Sequence, residues 1–327
     1  MPDQPSHTDV VFFGSGAFGL PTLEALHRTH RVVGVVTQPD RPAGRGKKLT
    51  PNPIAAWAQA HLPGVPIVKE PRVDDPGVCA QIRAFPATTW VVIAFGQKLG
   101  PALLADRFAI NLHASLLPRW RGAAPINHAI LAGDTVTGNS VITLAQKMDA
   151  GHVLGQNSTP IGHAETAGEL HDRLSAMGPE LVLGVIARHA AGTLEPEEQD
   201  ESLVTLAGKL SREDAAIDFT RLADEIRCQI NGLSPWPGCA VEIGGVRVKL
   251  LRADSQQAEE EEAEAGVKPP DSPGTPGTLT DPATGTVQTG AGSLRLIDVQ
   301  PAGKPAMGWA DFVRGHQPEP GTEIRRV

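Results

Sequence analysis

Residues 9–19 read Asp-Val-Val-Phe-Phe-Gly-Ser-Gly-Ala-Phe-Gly, and the fold class turns on them. Val10 to Phe13 form a continuous apolar run ending at Gly14, as a strand buried on both faces of a parallel sheet would. A helix is predicted over 18–28. Arg31 to Thr37, reading Arg-Val-Val-Gly-Val-Val-Thr, then supplies a second β-branched strand. The alternation continues with a Pro/Gly-rich loop over 38–51, a helix near 53–61 and a strand near Val65–Val68. A helix near 75–84 and strands at Trp90–Phe95 and Phe108–His113 follow. Strands separated by helices at this spacing imply βαβ units, hence an α/β domain with a parallel sheet. A long helix is expected over 166–190, with Thr166 as its N-cap.

The character changes after about residue 200. Short β-type runs at Cys239–Ile243, Val246–Leu251, Gly285–Thr289 and Ser293–Val299, punctuated by Gly and Pro, suggest a small all-β barrel or sandwich. A length of 327 residues fits two domains, divided here into 1–200 and 201–327. The 40% of hydrophobic residues are enough for real cores. Residues 254–277 run acidic and then rich in Pro, Gly, Ser and Thr, and are expected to be a disordered insert in the β module.

No run approaches 18 apolar residues, and the first residues have neither a basic nor an apolar region of the secretory kind. Neither a membrane span nor a signal peptide is expected. Cys79, Cys228 and Cys239 are odd in number and widely spaced, which argues against a disulfide framework and for a cytoplasmic setting.

The net charge of −8 is unevenly spread. Asp254 to Asp271 hold seven acids against Lys268, a net of −6, so the rest of the chain carries only −2. That remainder includes four cations in eight residues, Arg41, Arg45, Lys47 and Lys48, interleaved with glycines. Such an arm suits a phosphate backbone, so the global charge does not exclude a polyanionic partner.

Gly14-Ser-Gly16-Ala-Phe-Gly19 matches the dinucleotide-binding glycine pattern after a strand and before a helix. That reading requires an acid at the end of the second strand, to hold a ribose. The strand ends at Thr37-Gln38-Pro39, and Asp40 lies beyond the proline. Tight packing of the first βα turn is the better role for these glycines.

Asn111 and His113 lie two apart on a predicted strand, so both side chains share a face. They sit at its carboxyl end, where open α/β sheets place their ligands. An amide donor beside an imidazole suits acyl transfer: Asn111 can hold a developing oxyanion, and His113 can donate to it or move protons. Asp149, before a glycine turn, could orient the His113 ring if the two meet. His128 and His152 could be drawn beside Asp149 into a metal site, but their spacing matches no ligand motif, so no metal is expected.

These blocks resemble the methionyl-tRNA formyltransferase family over almost the whole chain. The resemblance rests on Thr37 to Lys48, Asn-x-His-x-Ser-Leu-Leu-Pro at 111–118 with Arg119-Trp-Arg-Gly-Ala-Ala-Pro125, Met148-Asp149, Glu165-Thr-Ala-Gly168 and Pro235-Trp-Pro-Gly238. It implies a Rossmann-like formyltransferase domain followed by an OB-like barrel. The implied reaction moves a formyl group from 10-formyltetrahydrofolate to the α-amine of initiator methionyl-tRNA, with no metal. Asn111, His113 and Asp149 fall on the family's catalytic positions, and Ser115, Leu116, Leu117 and Pro118 on its folate contacts. Arg41, Arg45, Lys47 and Lys48 fall on the segment that approaches the tRNA acceptor end. A monomer is expected. Four departures are visible: Gly14-Ser-Gly-Ala-Phe replaces a Gly-Thr-Pro type of turn, Trp120 stands where Tyr is common, the segment after Asp149 is shorter than usual, and the acidic insert at 254–271 lies outside the usual pattern. A formyltransferase for another amine, such as an amino-sugar nucleotide, is the alternative, and a nicotinamide-dependent oxidoreductase stands behind it.

Overall fold

The computed structural model describes residues 8–43, 46, 48–256 and 275–327. Arg45, Lys47 and most of the acidic insert lie outside the described residues. In chain order the first elements are β1 (Asp9–Gly14), α1 (Leu20–Thr29), β2 (Arg31–Thr37), β3 (Arg41–Ala43), β4 (Lys48–Thr50), α2 (Pro53–His61), β5 (Ile67–Lys69), α3 (Pro76–Arg83) and β6 (Thr89–Ile93). Then come α4 (Pro101–Leu104), β7 (Phe108–His113), β8 (Arg121–Gly122), α5 (Pro125–Leu131), β9 (Val136–Thr143), β10 (Val153–Pro160), α6 (Ala167–Ala190) and β11 (Leu206–Ala207). The last are α7 (Ala223–Gly232), β12 (Cys239–Ile243), β13 (Val246–Gln256), β14 (Leu279–Asp281), β15 (Thr286–Gln288), β16 (Ser293–Pro301), β17 (Met307–Gly308), α8 (Trp309–His316) and β18 (Ile324–Arg326).

Two compact units emerge. The first takes residues up to 122 with 138–159 and 171–206; the second takes 123–137, 160–170 and 207–327. The first unit holds a sheet of order β10-β9-β7-β6-β1-β2-β5. From β7 through β5 neighbouring strands are parallel, whereas β9 runs antiparallel to β7. β1 is flanked by β2 on one side and β6 on the other, so the chain reverses its winding there. That is where an open α/β sheet opens a crevice at its carboxyl ends. Val11, Phe13, Val36, Trp90 and Val92 fill one core, with the Phe13 ring 5.0 Å from that of Trp90. Burying each such side chain stabilises the unit by about 1.5–3 kcal/mol.

Local chemistry sets the helix ends. The Asn52 side chain accepts from Ala55 N at 3.0 Å, and Pro53 opens α2, where no N–H is missed. Thr166 caps α6 as expected: its Oγ1 accepts from Glu169 N at 3.3 Å, and Glu169 accepts from Thr166 N at 3.0 Å. α1 begins two residues later than predicted, behind a 3-10 turn at Ala17–Gly19.

The second unit carries an antiparallel sheet of order β14-β15-β16-β13-β12-β18, with β17 on β16. A bridge between Thr278 and Glu323 joins the two outer strands, and the sheet closes as a small OB-like barrel. Leu250, Leu296, Phe312 and, from α7, Ile226 and Ile230 fill its core. Asn231 at the end of α7 donates to Ala253 O and accepts from Ala253 N, both at 2.9 Å.

The insert starts later than the sequence suggests. Asp254, Ser255 and Gln256 belong to β13 and face Arg295, Leu294 and Ser293 of β16. Asp254 is 2.7 Å from the Arg295 guanidinium, so its polarity marks a paired strand face. At the other end Gly277 donates to Gln288 O and accepts from Ile324 N, each at 2.8 Å. Among the described residues no helix is long and apolar enough to cross a membrane.

Candidate active site

Asn111 and His113 are the fourth and sixth residues of β7, and the strand's alternation puts them on one face. His113 is buried, and its Nε2 lies 2.9 Å from the Trp120 carbonyl oxygen. A carbonyl can only accept, so Nε2 carries a proton and donates it. Nδ1 is thereby turned to Asp149, whose Oδ2 stands 3.6 Å away. The same Oδ2 accepts from Gly122 N at 2.9 Å. His113 and the turn carboxylate therefore meet, and Asn111 shares the strand face of His113.

Backbone geometry aims Asp149. Its φ of 52° lies in the left-handed region, which Asp tolerates better than most side chains. Two residues on, a Cβ at Gly151 would stand 1.7 Å from the Thr143 carbonyl oxygen, so only glycine lets the turn approach the end of β9.

The Ser115–Pro118 loop rests on the sheet. Ser140 Oγ donates to Ser115 O at 2.6 Å and accepts from Leu117 N at 3.0 Å. Gln156 Nε2 donates to Leu117 O at 2.9 Å. Ser115 is buried, with its hydroxyl given to Arg119 O at 2.7 Å, and Leu117 is buried too. Leu116 and Pro118 are the half-exposed members of the four.

The glycine motif does not frame a dinucleotide site. A Cβ at Gly14 would meet the Phe12 ring at 2.6 Å and Ile93 O at 2.8 Å, so the motif serves packing. β2 ends in polar side chains tied to one another. Ser15 Oγ accepts from Gln38 N at 3.0 Å, and Thr37 Oγ1 donates to Asn52 at 3.0 Å. Asp40 is engaged by Lys69 Nζ at 2.8 Å.

Arg41 and Lys48 stand on a two-stranded ribbon, not a free loop: β3 pairs antiparallel with β4 in the register Arg41–Thr50 and Ala43–Lys48. Both cations are exposed, and so is Leu49 between Lys48 and Thr50. Arg45 and Lys47 lie outside the described residues. His152 faces Glu198 at 3.8 Å, and His128 has the Gly208 carbonyl at 3.2 Å. Among the described residues no group of three or more His, Cys, Asp or Glu could hold a metal ion.

Sequence reasoning missed the residues behind the site. Ser140 sits on β9 and Gln156 on the edge strand β10, two strands the sequence does not predict. Arg121, quoted only as part of a motif, is buried at 2% exposure and forms an ion pair with Glu201 at 2.7 Å. Glu201 also meets Lys147 at 2.6 Å. The Arg121 guanidinium first, and then Lys147, holds the Glu201 carboxyl down at about 2.

Comparison with known proteins agrees with this layout. Residues 8–186 match the family described as formyl transferase, and residues 209–317 match the formyl transferase C-terminal domain. A methionyl-tRNA formyltransferase of Cereibacter sphaeroides is 43% identical over 94% of this chain and 95% of its own. One from Trichlorobacter lovleyi is 41% identical over 96% of both chains. Among solved structures, an N-formyltransferase from Helicobacter canadensis in complex with folinic acid and dTDP-3-aminofucose shares the fold, with a TM-score of 0.65 at 14% identity over 88% of this chain and 98% of that one. HypX from Aquifex aeolicus, in complex with tetrahydrofolic acid, gives 0.61 at 15% identity; this chain covers 47% of that longer one and 94% of its own length.

Proposed function

The chain belongs to the methionyl-tRNA formyltransferases, and from that premise we propose that it transfers a formyl group from 10-formyltetrahydrofolate to the α-amine of initiator methionyl-tRNA. The product would serve translation initiation. The likeness of the whole chain to the Cereibacter protein carries this reading. An amino-sugar acceptor is not favoured, because the likeness to the Helicobacter enzyme is one of fold at 14% identity.

The site residues suit acyl transfer. The neutral amine attacks the formyl carbon, a C–N bond forms, and the carbonyl oxygen becomes an oxyanion. Asn111 offers its amide to that oxyanion from the end of β7, with His113 beside it. When the tetrahedral centre collapses, the C–N bond to the folate breaks and the folate nitrogen leaves carrying a proton. The proton shed by the attacking amine passes through the His113–Asp149 pair. Asp149 faces His113 Nδ1 and would stabilise the ring when that nitrogen is protonated. Leu116 and Pro118, the half-exposed members of their loop, are proposed as the principal folate contacts, with Ser115 and Leu117 shaping the loop beneath them.

Residues 1–200 would carry folate and chemistry, and 201–327 the tRNA. The ribbon bearing Arg41 and Lys48, together with the cations Arg45 and Lys47 of the same sequence segment, would take acceptor-end phosphates. Binding energy from the remote tRNA body would then position the amine. The three cysteines are free, and we place the protein in the reducing cytoplasm. A formylation assay with initiator methionyl-tRNA and 10-formyltetrahydrofolate tests the reading. Formyl-methionyl-tRNA should appear, and an amino-sugar nucleotide offered in its place should stay unmodified. Formylation of the sugar alone would overturn it.

A further inference from the structure

Asp149 reaches His113 from an unfavourable backbone conformation, and something must hold it there. The turn that carries it runs beside the segment after α6, in a register set by Val153 and Glu197. Val153 N donates to Glu197 O at 2.8 Å, and Glu197 N to Val153 O at 2.9 Å. Gln199, two residues on, is thereby brought under the turn. Its Nε2 donates to Asp149 O and to Gly151 O, both at 2.7 Å.

The orientation of that amide is forced. Arg121 Nε donates to Gln199 Oε1 at 2.9 Å, and a guanidinium has nothing to accept with. Oε1 must therefore face Arg121, and Nε2 must face the two carbonyls. Arg121 is buried and is anchored in turn by Glu201, which Lys147 holds from just before Asp149. The chain of contacts leaves the turn, passes through Gln199, Arg121 and Glu201, and returns to it at Lys147.

We propose that Gln199 is a positioning residue for formyl transfer: its amide, oriented by Arg121, pins the Asp149 turn so that the carboxylate faces His113. The inference rests on the formyl-transfer reading of the Asn111, His113 and Asp149 site. It deepens that reading by naming what sets the carboxylate.

Two variants separate pinning from packing. Gln199→Leu removes both hydrogen-bonding functions. Gln199→Glu keeps the acceptor for Arg121 but sets a carboxylate oxygen against two carbonyls, at nearly unchanged volume. Each should lower kcat about 10- to 100-fold, the scale of a displaced catalytic group, with KM for both substrates within about twofold. In an Asp149→Asn background either change should cost little more, because the group it positions is already gone. Amide exchange at Gly122, whose N–H is held by Asp149 Oδ2, gives a readout independent of activity and should quicken by about tenfold or more in both variants. Three results would overturn the inference: kcat within about twofold of wild type, losses that multiply in the Asp149→Asn background, or unchanged exchange at Gly122. If Gln199→Leu does not fold, the near-isosteric Gln199→Glu decides. If the wild-type protein formylates no methionyl-tRNA, the functional reading fails, and exchange at Gly122 still tests the pinning.

Discussion

His113 is gripped at one ring nitrogen and exposed to charge at the other. Nε2 is committed to the Trp120 carbonyl at 2.9 Å, and Nδ1 faces a carboxylate at 3.6 Å. A ring so held can take a proton at Nδ1 and give it back without turning, as proton transfer during acyl transfer requires. We therefore expect His113→Ala and Asp149→Asn each to lower kcat/KM at least about 100-fold, with tetrahydrofolate affinity little changed. Steady-state formylation kinetics and a folate titration check both halves; more than a tenth of wild-type activity in His113→Ala would remove that residue from the chemistry. At this scale the sequence was legible where chemistry is local. Asn111 and His113 declare themselves by strand alternation, and Asp149 by a carboxylate ahead of a glycine turn. Gln199 declares nothing, because its partners lie 48 to 78 positions away along the chain. Only the register between Val153 and Glu197 reveals it.

Among the elements, the connection between β9 and β10 is tightly constrained. Gly151 sits where a Cβ would lie 1.7 Å from Thr143 O, a backbone atom that cannot swing aside as a side chain could. Gly151→Ala should thus destabilise the first unit by about 1–3 kcal/mol, seen as a lower urea midpoint, and reduce kcat because Asp149 lies on the displaced turn. An unchanged midpoint would show that the turn yields freely. The ribbon β3–β4 makes the other element-scale test. If all four cations of 41–48 engage phosphates, log K for tRNA should fall with log[salt] at a slope of roughly −3 to −4. Arg45→Ala with Lys47→Ala should flatten it by about one to two units while sparing folate binding; an unaltered slope would make the segment mere solvated surface. Strong periodicity made β1, β2, β6, β7 and α6 readable. α7 was not, since Ile226 and Ile230 are its two large apolar residues, too thin a stripe to register before the barrel that buries them is known. β13 was read short because Asp254 and Gln256 are polar on a strand whose pairing with β16 is visible only in three dimensions.

For the molecule as a whole, the choice between barrel and sandwich could not be made from strand runs, because closure depends on contacts such as that of Thr278 with Glu323. Charge, by contrast, is entirely legible from composition, and it allows a test that leaves the backbone untouched. Glu259, Glu260, Glu261, Glu262 and Glu264 all belong to the acidic run. Replacing the five with glutamine takes the net charge from −8 to −3 at constant length. A polyanionic tRNA is repelled by that run only within reach of its field, and the Debye length is about 30 Å at 0.01 M salt but about 8 Å at 0.15 M. The variant should therefore bind tRNA more tightly than wild type at about 0.01 M salt, and the two affinities should converge by about 0.15 M. The formylation rate at physiological salt and the melting temperature should be nearly unchanged, because a run so poor in large apolar residues has little to bury. Filter binding across a salt series, with a melting curve for each protein, supplies the comparison. A difference that persists at about 0.5 M salt would mean that the glutamates act through direct contact, and a large drop in melting temperature would mean that the run is packed against the barrel.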